Sequence, residues 1–369
     1  MFSHQLPLPQ QSPAAVESPR IVDLFAGPGG LDIAARYLDI PVHGVEWDAD
    51  ACRTREAADL PTSHGDVRDF GTRELRVSGP AQFKDATVLA GGPPCQTYTV
   101  AGPGAGRRAL EDVVGFAKRM VAREPYAQIA ADLGTLGDER TGLVLEPLKW
   151  ALVALDAGRP YEAIVLEQVP AVLRVWEVIG EALASEGYSV AHGVLRTEEF
   201  GVPQTRRRAI LIARRNGVAV LPKATHRRYV KGVPRSEGDP NLKPWVSMGE
   251  ALGRADPFVV VSNYGTGGDP KARGRRGSHE PAATVTGKVS RNRMLLSDGS
   301  ECRFLPPEAG RLQTFPASYP WSGAAIPQQI GNAIPPRLGV HVLCAALGID
   351  DTTRDAALER LDLAVRGKS

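Results

Sequence analysis

Cysteine is scarce in this chain: Cys52, Cys95, Cys302 and Cys344 are spread over 369 positions. None stands at the spacing of a CxxC pair or a zinc-finger half-site, so no disulfide framework and no metal is expected. Histidine is also rare, with seven residues, and His226 and His279 read as surface side chains rather than ligands. No apolar run approaches the roughly 18 residues that cross a bilayer, which removes a membrane from the expected partners. The opening text MFSHQLPLPQQSPAAVESPR lacks an apolar core, so residues 1–19 read as a disordered leader and not as a signal peptide. Internal repeats are absent as well.

Strong net charge is missing too, since the formal value is only +2. The charge is unevenly spread, however. Between Lys223 and Arg293 fourteen Lys and Arg face six Asp and Glu, an excess of +8 that leaves −6 for the rest. A basic segment on an acidic protein is the footprint of a polyanion-binding module. A solvated charged loop would look the same, so charge alone does not decide.

Composition is that of a globular protein, with 43% hydrophobic and 23% charged residues. RIVDLF, PVHGVEW, ATVLAGG, YEAIVLEQV, YSVAHGVL and RRAILIAR read as six strands. LDIAARYL, DADACRTREAADL, LEDVVGFAKRMVAREPYAQIAADL and LVLEPLKWALVALDA carry helical periodicity. This alternation predicts an α/β fold with a doubly wound, Rossmann-like sheet over residues 20–215. From Asn216 the text turns rich in Gly, Pro and basic residues, predicting a smaller, loop-rich domain over 216–325. At 326–369 apolar helical text returns in PPRLGVHVLCAALGI, expected to pack back on the large domain.

DLFAGPGGLD stands where the first strand meets a helix. Gly27, Gly29 and Gly30 allow close backbone approach to a ligand, and the helix start favours an anionic group. A dinucleotide fingerprint needs glycine at 32, where this chain has Asp32. Asp23 before the loop suits a cationic ligand such as an amino-acid ammonium. Glu46 ends the second strand near the spacing of an acid that binds ribose hydroxyls, Trp47 beside it can stack on a purine, and Asp66 can accept from an adenine amino group. Each has a plainer reading: a helix cap for Asp66, a core aromatic for Trp47, a turn for the glycines. Together, at the carboxyl ends of successive strands, they fit S-adenosylmethionine better than a dinucleotide.

GGPPCQ places Cys95 just past the next strand on the same sheet edge, its approach stiffened by Pro93 and Pro94. A held thiolate suits addition to carbon 6 of cytosine, which makes carbon 5 nucleophilic enough to take a methyl group. LEQVP supplies Glu167 as the acid near ring nitrogen 3. GVPQTRRRAILIA supplies Arg206 and Arg208, two apart and so on one side of a strand, to orient the base and a nearby phosphate.

These motifs in this order resemble those of the DNA cytosine-5 methyltransferases. DLFAGPGG, GGPPCQ, EQV, GVPQTRRR, FLPPEAGRLQTFP and QQIGNAIPP each match, and the likeness covers nearly the whole chain. The resemblance implies a methyltransferase sheet carrying a target-recognition domain, S-adenosyl-L-methionine as cofactor, duplex DNA as partner and flipping of the target base. It implies that Phe25 and Trp47 sandwich adenine, Glu46 holds the ribose, Asp66 and Val67 meet the adenine edge, and Asn332 completes the pocket. Asp23, Ala26, Gly27, Gly29, Gly30, Leu31, Pro93 and Ala333 belong to the same cofactor motifs. Cys95, Glu167, Arg206 and Arg208 would line the cytosine pocket.

Three departures stand out. Gln168 occupies the place of the usual Asn, Thr97-Tyr98-Thr99 is a variant of the text after the cysteine, and the connection over 103–137 is long enough for an extra helix on the mobile loop. The basic stretch falls where the family reads its target, so Arg273, Arg275, Arg276, Arg291 and Arg293 are candidate DNA contacts, together with Gln96 beside the cysteine. The expected setting is the prokaryotic cytoplasm, with the nucleoid, for a monomer that protects DNA from a separate cognate restriction endonuclease or acts as an orphan. Two alternatives carry less weight: a weakly active DNA-binding homologue, with Gln168 the first sign of decay, and tRNA methylation, whose Cys-Phe-Thr signature is absent.

Overall fold

The computed structural model describes residues 15–94, 103–135, 140–262 and 274–367. Seven strands form the main sheet: β1 Ile21–Leu24, β2 Val42–Glu46, β3 Thr62–His64, β4 Val88–Gly91, β5 Ala163–Gln168, β6 Ser189–Arg196 and β7 Arg207–Arg214. Their order is β3-β2-β1-β4-β5-β7-β6. Neighbours from β3 to β5 run parallel, while β7 is antiparallel to both β5 and β6. The short return from β6 to β7 requires that reversal, since a parallel crossover needs a dozen or more residues. The six strands expected from apolar text are present. β3 is the addition, a three-residue edge strand reading TSH, with no apolar run to announce it.

Residues alternate between the two faces of the sheet at period two. Ile21, Val88, Ala90, Val165, Ile210 and Ile212 enter one core, with α1 Gly30–Tyr37, α9 Pro336–Leu347 and α10 Asp351–Val365. Val22, Leu89, Ile164, Leu166, Ala209 and Leu211 enter the other, with α3 Pro103–Val121, α4 Tyr126–Leu133, α5 Glu146–Asp156 and α6 Leu173–Ser185. Both faces are covered, as a doubly wound sheet requires. Helix α9 lies close against α1: a Cβ on Gly339 would press 2.8 Å from Ala34 Cβ.

The long connection is not an appendage. Its helical text divides at Pro125, which starts α4, and Arg123 just before it sits at φ 59°. Val113, Ala117 and Met120 of α3 and Ile129 of α4 are buried in the second core.

A second sheet, ordered β9-β8-β10-β11, gathers β8 Phe258–Val261, β9 Arg275–Gly277, β10 Arg293–Leu296 and β11 Glu301–Cys302. Its core joins Met248, Phe258, Val260, Met294 and Phe304 with Leu312 of α7 (Pro306–Leu312) and Ile330 of α8 (Ile326–Asn332). A boundary at 325 therefore cuts through this core. Gln204–Thr205 also pairs in parallel with Ala282–Ala283, stitching the two sheets' domains together. His226 is not a surface histidine: it is 6% exposed, accepts or donates to Thr225 Oγ1 at 2.9 Å, and burial, reinforced by Arg337, pulls its pKa down to about 3.

Beneath the carboxyl edge lies a fully buried ion pair. α2 (Ala49–Ala57) sends Arg55 to Asp32 of α1, with guanidinium–carboxylate distances of 2.7 and 2.9 Å and no exposure of either side chain. Arg55 also donates to Thr62 Oγ1 at 2.8 Å and to the Pro61 carbonyl at 3.3 Å, so it joins α1 to β3. A Cβ on Gly44 would collide with this guanidinium. Removing one partner strands the other charge, so Arg55→Met should cost about 3–5 kcal/mol in urea denaturation. The double variant Asp32→Asn/Arg55→Met should recover much of that loss.

Candidate active site

The carboxyl ends of β1, β2, β4 and β5 open into one cavity of about 740 Å³, inside the range of about 300–1,000 Å³ for small-molecule sites. Its floor is the turn after β1, where Phe25 (φ 57°), Gly27 (φ 54°) and Gly29 (φ 99°) all take left-handed conformations. Such backbone favours glycine, and Phe25 is the costly member. A Cβ on Gly30 would run into the Ile334 carbonyl, so the loop and the C-terminal segment meet backbone to backbone.

Glu46 fastens this turn to β2. Its Oε2 accepts from Gly27 N at 2.6 Å and its Oε1 from Asp48 N at 2.7 Å. Burial raises its pKa, opposed by those two N–H groups. Asp23 is buried in β1, and burial, then the Asp32 charge, push its pKa well above the ordinary carboxylate value. Trp47 stands at the rim, 71% exposed, so it is not a core aromatic. It and Phe25 both line the cavity. Asp66 combines two readings: it caps the helical turn Val67–Phe70 and also faces the cavity. Its carboxylate is gripped by Arg68 Nε at 2.9 and 3.0 Å, which, against the upward pull of burial, holds its pKa below normal.

Of the remaining residues expected at the cofactor, Ala26, Gly27, Gly30, Leu31, Val67, Asn332 and Ala333 line the cavity, whereas Gly29 and Pro93 do not. Gly29 is packed beneath, against Leu60 and Tyr319. Pro94 lines the wall in place of Pro93, whose carbonyl serves another purpose: it accepts from Gln168 Nε2 at 2.6 Å. Gln168 Oε1 accepts from Val169 N at 2.6 Å, so both ends of its amide are engaged. Ala325, Gln328 and Gln329 of the α8 region also line the cavity. Gln328 and Gln329 open the motif QQIGNAIPP, from which the sequence singles out only Asn332 and Ala333.

At the other end of the cavity Glu167 closes β5 and pairs with Arg208 Nε at 2.5 Å, both side chains about one-tenth exposed. Arg206, expected beside Arg208 in the cytosine pocket to orient the base and a nearby phosphate, does not line the cavity. It is 0% exposed and donates to the carbonyls of Val285, Gly331 and Ala333. Arg276 is likewise engaged within the protein, over the Tyr229 ring at 4.6 Å, and Arg293 pairs with Glu301 at 3.0 Å. Arg275 on β9 and Arg291 are exposed. Cys95, Gln96 and Arg273 lie outside the described residues. Among the described residues no cluster of His, Cys, Asp and Glu could hold a metal, and no helix is long and apolar enough to cross a membrane.

The raised pKa of Asp23 has a signed consequence. An acid whose folded pKa lies above its unfolded value penalises the fold while ionised, and the penalty fades as pH falls through the raised value. Asp23→Asn should therefore raise the melting temperature at pH 7. That advantage should shrink as pH falls toward the ordinary carboxylate value of 3.8, a trend readable by thermal denaturation across that range.

The family profile of C-5 cytosine-specific DNA methylases matches residues 19–115 and 161–243. The chain is 25% identical over 249 residues to the type II methyltransferase M.AquIA of Picosynechococcus, covering 66% of this chain and 91% of that protein. It is 26% identical over 359 residues to the type II methyltransferase M.HpaII of Haemophilus parainfluenzae, covering 88% of each. In fold it is similar to the crystal structure of S. pombe Dnmt2 methyltransferase, with a TM-score of 0.57 at 16% identity over 89% of this chain and 98% of that one. The glycine turn, the Gly91–Pro94 segment and the Glu167 strand end all fall within the matched segments, and the chain is an enzyme of the C-5 cytosine-specific DNA methylase family.

Proposed function

We propose that this enzyme transfers a methyl group from S-adenosylmethionine to carbon 5 of cytosine in a short duplex DNA sequence. One observation carries the reading: a single cavity is lined by Glu46, Trp47, Asp66 and Val67 and also by Glu167 and Pro94, the residue that precedes Cys95 in the sequence. The residues fit the cofactor chemically. Asp23 offers a buried carboxyl for an ammonium, Glu46 faces the cavity as an acceptor for ribose hydroxyls, and Phe25 and Trp47 offer rings for adenine. When bound, the cofactor supplies an electrophilic methyl group.

The chain's own residues do the rest. The Cys95 thiolate adds to carbon 6 of a flipped cytosine, and the ring's electron pair reaches carbon 5. Glu167 hydrogen-bonds ring nitrogen 3 and favours its protonation, while Arg208 holds the Glu167 carboxylate in place. Carbon 5 takes the methyl group as S-adenosylhomocysteine departs; it then loses its proton to a base while nitrogen 3 returns its own to Glu167, and the sulfur–carbon 6 bond breaks to restore the thiolate. The Gln168 amide steadies the Pro93 carbonyl two residues before Cys95. That contact supports a working site over a decayed one despite the departure from the usual Asn.

Exposed cations of the smaller domain, Arg275 and Arg291 first, supply phosphate or base contacts. Protection against a separate endonuclease and a monomeric state are consistent with this reading.

Bisulfite sequencing of DNA from a host without cytosine methylation tests it. Expression of the chain should leave protected cytosines in one short motif, and Cys95→Ala should abolish all protection. Glu167→Gln should lower the single-turnover methylation rate by about 10²–10⁴-fold. Unprotected DNA from cells with abundant folded protein would reject duplex DNA as substrate.

A further inference from the structure

Three polar side chains, Gln204, Arg206 and Gln313, are fully buried where the two domains meet, and none lines the cavity. Arg206 Nη1 donates to the Val285 carbonyl at 2.8 Å. Its Nη2 donates to the carbonyls of Gly331 at 2.8 Å and Ala333 at 3.1 Å. Gln204 accepts from Val285 N at 3.0 Å, and donates to the Leu312 carbonyl at 2.8 Å and to Gln313 Oε1 at 2.7 Å. Gln313 donates in turn to the Ile330 carbonyl at 2.6 Å.

The two sides of this network have different duties. Val285 follows the Ala282–Ala283 pairing and belongs to the core of the smaller domain. Residues 330–333 end α8, whose Gln328, Gln329 and Asn332 face the cavity. Backbone contacts continue the connection in both directions. A Cβ on Gly331 would collide with Gly287 N, and one on Gly30 with the Ile334 carbonyl. Pulling α8 from segment 285–287 would leave a buried guanidinium and several carbonyls without partners, so the two segments are constrained to move as one.

We propose that Gln204, Arg206 and Gln313 are positioning residues that couple the methyl-donor site to the DNA-recognition domain. A ligand that orders α8 from the cavity side orders segment 282–289 through Arg206, and by reciprocity DNA bound to that domain tightens the cofactor site. The proposal rests on the cofactor reading above.

Hydrogen exchange on the full-length protein, with and without S-adenosylhomocysteine, tests it. In the wild type the product should slow exchange at least about fivefold both at 326–334 and at 282–289. Arg206→Lys keeps the charge but loses the planar fork that reaches both segments. It should retain the slowing at 326–334 and lose it at 282–289, a separation that a merely structural role would not produce. Gln204→Leu breaks the same joint from the other side and should behave alike if the lysine variant does not fold. Slowing confined to 326–334 in the wild type would overturn the coupling alone, as would slowing at 282–289 that survives in both variants. No slowing anywhere in the wild type would overturn the cofactor reading and the coupling together.

Discussion

The buried pair between Asp32 and Arg55 underlies the ligand edge of this enzyme. It draws α1 against β3 and lies directly beneath the glycine turn. Two charges without water are costly, and they persist only because geometry and further hydrogen bonds satisfy them. Gly44 has no side chain because the guanidinium occupies that space. The same pair accounts for Asp32 standing where a dinucleotide site would have glycine. After burial itself, the Asp32 charge contributes most to the raised pKa of Asp23, so the anchor and this cavity-lining carboxyl are electrostatically linked.

Above this anchor one device is used twice. A polar side chain at the end of a strand reaches across to the backbone of the neighbouring loop: Glu46 from β2 to Gly27, and Gln168 from β5 to Pro93. Each fixes the backbone of a loop that lines the cavity, with ordinary hydrogen bonds. Gln168 also accepts from its own neighbour, Val169 N. Its extra methylene is thus accommodated between two backbone partners, which gives a physical reason for the departure from asparagine.

The smaller domain is joined to this edge through buried polar contacts as well as through the apolar core it shares with α7 and α8. Arg206 and Gln204 sit in the text expected to handle the base, yet they bind carbonyls of both domains. Arg208, two residues on, meets Glu167 at the cavity. The motif therefore divides its arginines between assembling the enzyme and addressing the site. The long connection also serves assembly: Val113, Ala117 and Met120 of α3 and Ile129 of α4 complete the second core.

Much of this was legible in the sequence because it follows from local order. Short apolar runs mark six strands, and the glycines, Glu46 and Glu167 fall at strand ends, where an α/β sheet gathers ligands. β3 escaped because a three-residue edge strand has no apolar face to declare. The fates of charged and polar residues escaped for a different reason. His226 is buried, Arg276 lies over Tyr229, Asp66 is gripped by Arg68 and Arg206 binds three carbonyls. None of these is a property of spacing. The sequence alone determined which elements form and which side chains reach the sheet edge, since backbone periodicity is local. Tertiary structure alone decided which of those side chains face the cavity and which are spent on other parts of the chain, because a buried charge takes whatever partner the folded chain brings within reach.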